Sequence, residues 1–108
     1  MLKVMISTEG KILSLRLVGH AGYAEHGKDI VCASASILAY TVAQFVREAE
    51  HRGDLASPAE IILEKGDTIV TCEPCEDTYH DLQSVYSFAK TGYRLLAQNY
   101  PQYVRLTP

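Results

Sequence analysis

The segment that decides the fold is LKVMISTEGKILSLRLV, residues 2–18. On both sides of residues 9–11, apolar residues occupy every second position, which is the pattern of strands with one buried face. Gly10 supplies the turn, because glycine adopts a positive φ at little cost. The apolar positions are Leu2, Val4, Ile6, Leu13, Leu15 and Leu17. We therefore predict strands at 2–7 and 12–18, paired as a hairpin.

A long helix is predicted from Ile30 to about Arg52, because apolar residues recur there at every third or fourth position. Asp29 stands at the position where an N-cap belongs. Ile37, Tyr40 and Thr41 should widen the apolar face of the helix, so we expect one side of it to be well buried.

The rest of the chain predicts a second hairpin, with strands at 61–64 and 68–72 around Gly66. A second helix opens at Glu76, where acidic residues suit the positive end of a helix. A short last strand is predicted at 102–106. The order ββαββαβ indicates an α+β fold in one domain, residues 1–108, with a mostly antiparallel sheet against two helices.

Charge and cysteine content exclude several kinds of function. The net charge is −3, and the ten Lys and Arg residues occur singly, so the basic stripe of nucleic-acid-binding proteins is missing. No run approaches about 18 consecutive apolar residues. Nor does the start show a signal peptide, so we expect no membrane contact. Three cysteines, an odd number, indicate free thiols in a reducing compartment and hence a cytoplasmic protein.

The best candidates for chemistry are Cys32 and His20. If Asp29 caps the helix, Cys32 is its third residue, where partial positive charge and unpaired N–H groups favour a thiolate. His20 follows the second strand, and a glycine-bearing loop can bring its ring to the helix start. Such a pair supports acyl transfer, and the same N–H groups would hold the oxyanion.

Each candidate also has a purely structural explanation. A cysteine in an apolar helix is most often a small buried side chain, and a histidine at a strand end is most often a surface residue. Ser36, one turn after Cys32, can steady the site or donate back to the carbonyl of Cys32. His26 competes with His20 as the base, although nothing in the middle of the loop fixes its ring.

The C-x-x-C of Cys72 and Cys75 is a second motif, typical of zinc sites and redox dithiols. Only His80 stands nearby as a further ligand, whereas a structural zinc site needs four. A thiol redox module remains an alternative function. So does a non-catalytic ribosome-associated assembly factor in which Cys32 and His20 only pack. We expect no metal and no other cofactor.

Residues 19–36 resemble the signature of the ribosomal-processing cysteine proteases, the Prp family. In that signature Gly-His-Ala is followed, after a short loop, by Gly-x-Asp-Ile-Val-Cys-Ala and a nearby Ser. The matching residues are Gly19, His20, Ala21, Gly27, Asp29, Ile30, Val31, Cys32, Ala33 and Ser36. The spacing from histidine to cysteine, the chain length and the order of elements also fit. Ser34 stands where the family often has a small apolar residue.

The resemblance implies a bacterial homodimer that removes the N-terminal extension of the precursor of large-subunit ribosomal protein twenty-seven before ribosome assembly. It makes Cys32 the nucleophile and His20 the base, and it implies no direct contact with nucleic acid. The loop at 22–27 is expected to close over the peptide. Asp29 could orient His20, but its position indicates a cap first. The supporting residues of the motif are Asp29, Ser36, Gly19 and Gly27.

Overall fold

The computed structural model describes residues 1–107 and has the predicted order of elements. The strands are β1 (Leu2–Ser7), β2 (Leu13–Val18), β3 (Glu60–Glu64), β4 (Asp67–Cys72) and β5 (Val104–Thr107). The helices are α1 (Ile30–Arg52) and α2 (Tyr79–Asn99), and a 3-10 turn at Glu76–Thr78 leads into α2. The ββαββαβ order is confirmed, with strand ends that differ by one or two residues from those predicted.

The five strands form one sheet in the order β3-β4-β2-β1-β5. All neighbours are antiparallel except β1 and β5, which are parallel. This exception has a geometric cause: β4 and β1 both run opposite to β2, and a crossover through a helix returns the chain in the direction of the strand it left. The prediction of a mostly antiparallel sheet is therefore confirmed, and the sheet is mixed.

One face of the sheet is buried beneath both helices. The alternating side chains predicted to point inward from β1 and β2 are all buried. The face that α1 turns to the core is made of small residues, among them Ala35, Ala39 and Ala43. Two buried tyrosines of α2 keep their hydroxyls satisfied: Tyr86 donates to the Val70 carbonyl and Tyr93 to the Ala35 carbonyl, each at 2.9 Å.

The expectation that Ile37 and Tyr40 extend the buried face of α1 is wrong. Ile37 is 60% exposed and Tyr40 is 49% exposed, because the helical period turns them away from the alanines that contact the core. They line a shallow groove on the outside of the molecule. We call this surface the α1 strip: Ile37, Tyr40, Thr41, Gln44, Phe45 and Leu63.

By length and composition alone, α1 is also apolar enough to cross a membrane. Residues 30–46 carry no charged side chain, although Ser34, Ser36, Thr41 and Gln44 interrupt the apolar residues. In the structure the alanine and valine face of α1 is buried in the core. Packing within the fold therefore accounts for the alanine and valine face of this helix, while Ile30, Ile37 and Tyr40 remain exposed.

Candidate active site

The start of α1 is organised by the carboxylate of Asp29. Its Oδ1 accepts the backbone N–H groups of Val31 at 3.0 Å and Cys32 at 2.9 Å, which confirms the predicted N-cap. Its Oδ2 accepts the N–H groups of Tyr23 at 3.0 Å and Ala24 at 3.3 Å. One side chain thus ties both the helix start and the preceding loop together.

These contacts govern the ionisation of Asp29. Desolvation by itself raises the pKa of its carboxyl, but the four backbone N–H donors outweigh it and bring the pKa below the ordinary value. No hydrogen bond joins Asp29 to His20 within residues 1–107. Of the two roles considered for Asp29, the contacts support capping rather than orientation of the imidazole.

The loop between Ala21 and Asp29 is held at a second point by aromatic contacts. The ring of Tyr23 meets the rings of Tyr100 and Tyr103 edge to face, with centroids 5.7 Å and 5.2 Å apart. Both partners belong to the segment between α2 and β5. The loop is therefore attached to the helix start through its backbone and to the C-terminal segment through one side chain.

The sulfur of Cys32 lies where the end of β2 and the start of α1 meet. The Cys32 side chain is half-buried, and its Sγ accepts the N–H of Ala21 at 3.3 Å. Ala21 is itself buried, and it directly follows His20 in the chain. The sulfur thus lies at the N-terminal end of a helix with a backbone donor directed at it, a setting in which cysteines serve as nucleophiles.

Cys32 and His20 line the same open cavity of about 600 Å³. Ser36, Asp29 and Gly27 line it as well, so these members of the predicted set share one cavity. Gly19 lines a smaller, adjoining cavity of about 270 Å³, which also includes His20, Cys32 and Ser36. The sulfur is thus open to a substrate rather than enclosed among aliphatic side chains.

The backbone conformation and close packing at position 19 require glycine. Its φ is +89°, and a Cβ on it would lie 2.8 Å from the carbonyl oxygen of Met1. Its N–H donates to the carbonyl of Gly66 at 3.0 Å, which joins the end of β2 to the turn between β3 and β4. This places His20 beside that turn.

Ser36 directs its side chain to the cavity rather than back to its own helix. Within residues 1–107 its hydroxyl makes no hydrogen bond to the carbonyl of Cys32, contrary to the structural explanation considered above. The serine that bonds back to the helix is Ser34, whose Oγ donates to the carbonyl of Ile30 at 2.7 Å. The Ser36 hydroxyl therefore remains a candidate contact for a substrate.

The competing histidine, His26, lines both cavities together with His20. Both side chains are exposed. The two histidines differ in their surroundings. His20 is separated from β2 by Gly19 alone and contacts the β3–β4 turn, whereas His26 lies within the loop. The preference for His20 as the base therefore stays a prediction, supported by its more fixed attachment.

The C-x-x-C motif lies away from the cavity that Cys32 lines. Cys72 is 2% exposed at the end of β4, and burial raises the pKa of its thiol. The Sγ of Cys75 donates instead to the Gly53 carbonyl at 3.8 Å. A buried thiol with a raised pKa is a poor nucleophile, which weakens the redox alternative.

Three contributors to the site were missed in the sequence. They are the N–H of Ala21, which contacts the sulfur, and the two residues of the β3–β4 turn, Lys65 and Gly66. The glycine was expected to form a turn, but no local pattern shows that this turn packs against a histidine 46 positions earlier, counted from 20 to 66. The backbone donor carries no side-chain signal at all.

Comparison with known proteins identifies the family. The family model described as cysteine protease Prp matches residues 1–105. The crystal structure of the ribosomal processing protease Prp from S. aureus with a covalently linked product peptide is similar in fold, at a TM-score of 0.72 and 20% identity over 98% of this chain and 95% of that one. SMU.848 from Streptococcus mutans has a TM-score of 0.66 and 26% identity over 99% and 92%.

A second structure of the S. aureus protease, with a substrate peptide, has a TM-score of 0.64 and 19% identity over 98% of this chain and 95% of that one. No match was found among curated proteins. The likeness to the S. aureus structures concerns the fold, while the family model covers nearly the whole chain. The chain therefore belongs to the Prp family of cysteine proteases.

Proposed function

We propose that this cysteine protease cleaves peptides through Cys32 as the nucleophile and His20 as the base. The observation that carries the proposal is the position of the Cys32 sulfur. It lies in the first turn of α1, 3.3 Å from the Ala21 N–H, in an open cavity that His20 also lines. In the first step the imidazole of His20 takes the proton of the Cys32 thiol, which gives the attacking thiolate and an imidazolium.

In the first half of the reaction the thiolate attacks the scissile carbonyl carbon, and the carbonyl oxygen becomes an oxyanion. The helix N–H groups expected to receive this oxyanion are already engaged, since Val31 and Cys32 donate to the Asp29 side chain and Ala33 to its carbonyl. The N–H of Ala21 donates to the sulfur itself, and it becomes available to the oxyanion as the sulfur loses its charge during the attack. We assign it the role of holding the developing charge.

In the second half, the imidazolium gives its proton to the leaving amine, and the carbon–nitrogen bond breaks to leave a thioester on Cys32. The neutral imidazole of His20 then takes a proton from water, and the resulting hydroxide attacks the thioester. Release of the acid restores the thiolate and the imidazolium.

The experiment that tests the nucleophile uses two cysteine variants. Cys32→Ala should lose all cleavage of a precursor peptide, while Cys75→Ala, outside the cavity, should retain it. Both should keep the circular dichroism spectrum of the wild type. Cleavage by the Cys32→Ala protein would overturn the assignment.

The identity of the base is tested by pH–rate profiles of His20→Ala and His26→Ala. General base catalysis contributes roughly 10²–10⁴-fold, so His20→Ala should lose activity on that scale. His26→Ala should keep the wild-type dependence of kcat/KM on pH. The reverse result would transfer the role to His26.

For the substrate, we propose the N-terminal extension of the precursor of large-subunit ribosomal protein twenty-seven. The resemblance in residues 19–36 supports this, and the S. aureus relatives are described as ribosomal processing proteases in complex with substrate and product peptides. A cavity of about 600 Å³ has room for several side chains of an extended peptide. Mass analysis of the precursor after incubation should show one new N-terminus with wild type and none with Cys32→Ala.

We also propose that the protein acts in the bacterial cytoplasm as a homodimer. Free cysteines and the family resemblance support the location. The α1 strip supports the dimer, because a groove between Ile37, Tyr40 and Phe45 leaves apolar surface uncovered in the single chain.

A further inference from the structure

The turn between β3 and β4 lies directly against the His20 imidazole. A Cβ placed on Gly66 would lie 3.0 Å from Nε2 of that ring and 3.2 Å from its Cε1. Carbon and nitrogen atoms in ordinary contact stay farther apart than this, at about 3.5 Å or more. The ring therefore occupies the space that any other residue at position 66 would fill with its side chain.

The backbone of this turn is fixed where it meets the ring. The carbonyl of Gly66 accepts the N–H of Gly19 at 3.0 Å, and Asp67 is paired with Val18 in the sheet on the other side of the contact. The backbone before His20 is thus anchored to the same turn that its ring touches. A residue with a side chain at position 66 would displace the exposed imidazole rather than the paired backbone.

We infer that Gly66 is a positioning residue for the catalytic reaction: its bare backbone seats the imidazole of His20 in the cavity. The inference rests on the proposed function, in which His20 is the base. Gly66 lies outside the motif of residues 19–36, in a turn more than 40 positions after His20 in the sequence.

Conformational strain alone would also make Gly66 hard to replace, since its φ is +79°. The chain offers a matched control in Gly10, at the β1–β2 turn, whose φ is +83°. A Cβ on Gly10 would meet no atom within 4 Å. Alanine at either position suffers a similar backbone penalty, but only Gly66→Ala places a methyl group against His20.

The test compares Gly66→Ala with Gly10→Ala in precursor cleavage and in thermal unfolding. We expect both to lower Tm by a similar amount, while only Gly66→Ala loses kcat/KM, by about tenfold or more, because small misplacements of a catalytic group are costly. The imidazole signals of His20 in proton–carbon NMR spectra should shift in Gly66→Ala and stay unchanged in Gly10→Ala. Equal activity of the two variants, with equal His20 signals, would overturn the inference.

Three further variants keep the test decisive. If the alanine proteins fold poorly, Gly66→Asn and Gly10→Asn replace them, since asparagine adopts left-handed backbone more readily. His20→Ala separates the two proposals. An active His20→Ala protein would refute His20 as the base and the positioning with it. An inactive one, with Gly66→Ala as active as Gly10→Ala, would refute the positioning alone.

Discussion

At the scale of single residues, the two carboxylate oxygens of Asp29 bind two different parts of the chain. Oδ1 serves α1 and Oδ2 serves the loop, so the two functions can be separated by substitution. An asparagine retains one carbonyl oxygen for the cap but presents an amide donor in place of the second oxygen. Alanine removes both acceptors.

We predict that Asp29→Ala lowers the free energy of unfolding by about 1 kcal/mol, the usual cost of losing an N-cap. Asp29→Asn should keep most of that stability and still speed the amide hydrogen exchange of Tyr23 and Ala24. Exchange at Tyr86 in the core serves as the internal reference. Unchanged exchange at the two loop amides in Asp29→Asn would contradict the separation of roles.

The same carboxylate should make the loop sensitive to acid. The pKa of Asp29 is lower in the folded protein, so its stabilising contribution is fully present above the ordinary value of about 3.9 and is lost as pH falls through the lowered pKa. A carbon NMR titration of the Asp29 carboxyl should have a midpoint below that of an unfolded peptide. A midpoint above it would contradict the four observed donors.

The three cysteines should differ in reactivity. Cys32 lines an open cavity, whereas Cys72 is buried and burial raises the pKa of its thiol. We predict that iodoacetamide at neutral pH labels Cys32 in the native protein and labels Cys72 only after unfolding, as read by peptide mass mapping. A reversible disulfide between Cys72 and Cys75 under mild oxidation would contradict this and revive the redox alternative.

At the scale of elements, α1 and α2 pack together through a glycine. A Cβ on Gly92 of α2 would lie 2.9 Å and 3.1 Å from the two methyl carbons of Leu38 of α1. Gly92 therefore permits close approach of the helices at the expense of helix propensity. A methyl group added at position 92 would raise the helix propensity of α2, but it would also collide with the Leu38 side chain.

A double-mutant cycle measures that opposition. In the Leu38→Ala background, Gly92→Ala should raise the free energy of unfolding by about 1 kcal/mol, the difference in helix propensity. In the wild type the gain should be smaller, because the Leu38 side chain must move. Urea denaturation provides the four free energies. Equal gains in both backgrounds would show that the helices do not meet here.

The local features of these elements were predictable from the sequence. The alternation of apolar and polar residues showed which side chains of β1 and β2 face the core. The cap at Asp29 was predictable because an N-cap bonds to residues close by in the chain. The parallel pairing of β1 with β5 was not specified locally, since it depends on the crossover through α2. Ile37 and Tyr40 were misplaced because small alanines, rather than large apolar residues, form the buried face of α1.

For the candidate site, too, local features were predictable from the sequence and long-range contacts were not. The motif brought Cys32, His20 and Ser36 together in the prediction, and they do line a common cavity. The occupation of the first-turn N–H groups by Asp29 follows from the predicted cap, yet they were also expected to hold the oxyanion. Gly66 lay outside the prediction, because contact with His20 arises from the pairing of β2 with β4.

At the scale of the whole molecule, the exposed apolar side chains of residues 1–107 include two regions on different helices. One is the α1 strip and the other contains Phe88 of α2, which is 80% exposed. A homodimer formed through the α1 strip would cover only the first. The two regions therefore serve as test and control for the proposed assembly.

We predict that Ile37→Glu converts a dimer to a monomer in light scattering coupled to size-exclusion chromatography, because a charge in an apolar interface is not compensated. Phe88→Glu should leave the dimer intact. Dissociation by Phe88→Glu alone would move the interface to α2. A monomeric wild-type protein at micromolar concentration would exclude the dimer itself.

The contact of Tyr23 with Tyr100 and Tyr103 has a consequence for the timing of catalysis. Each edge-to-face pair is worth about 0.5–1.5 kcal/mol, so the two pairs together give a bias of roughly fivefold to 150-fold towards the attached loop. A peptide that needs the loop out of its way must first compete with the ring cluster. The ordering of the chain just before β5 therefore delays the entry of any peptide that needs the loop released.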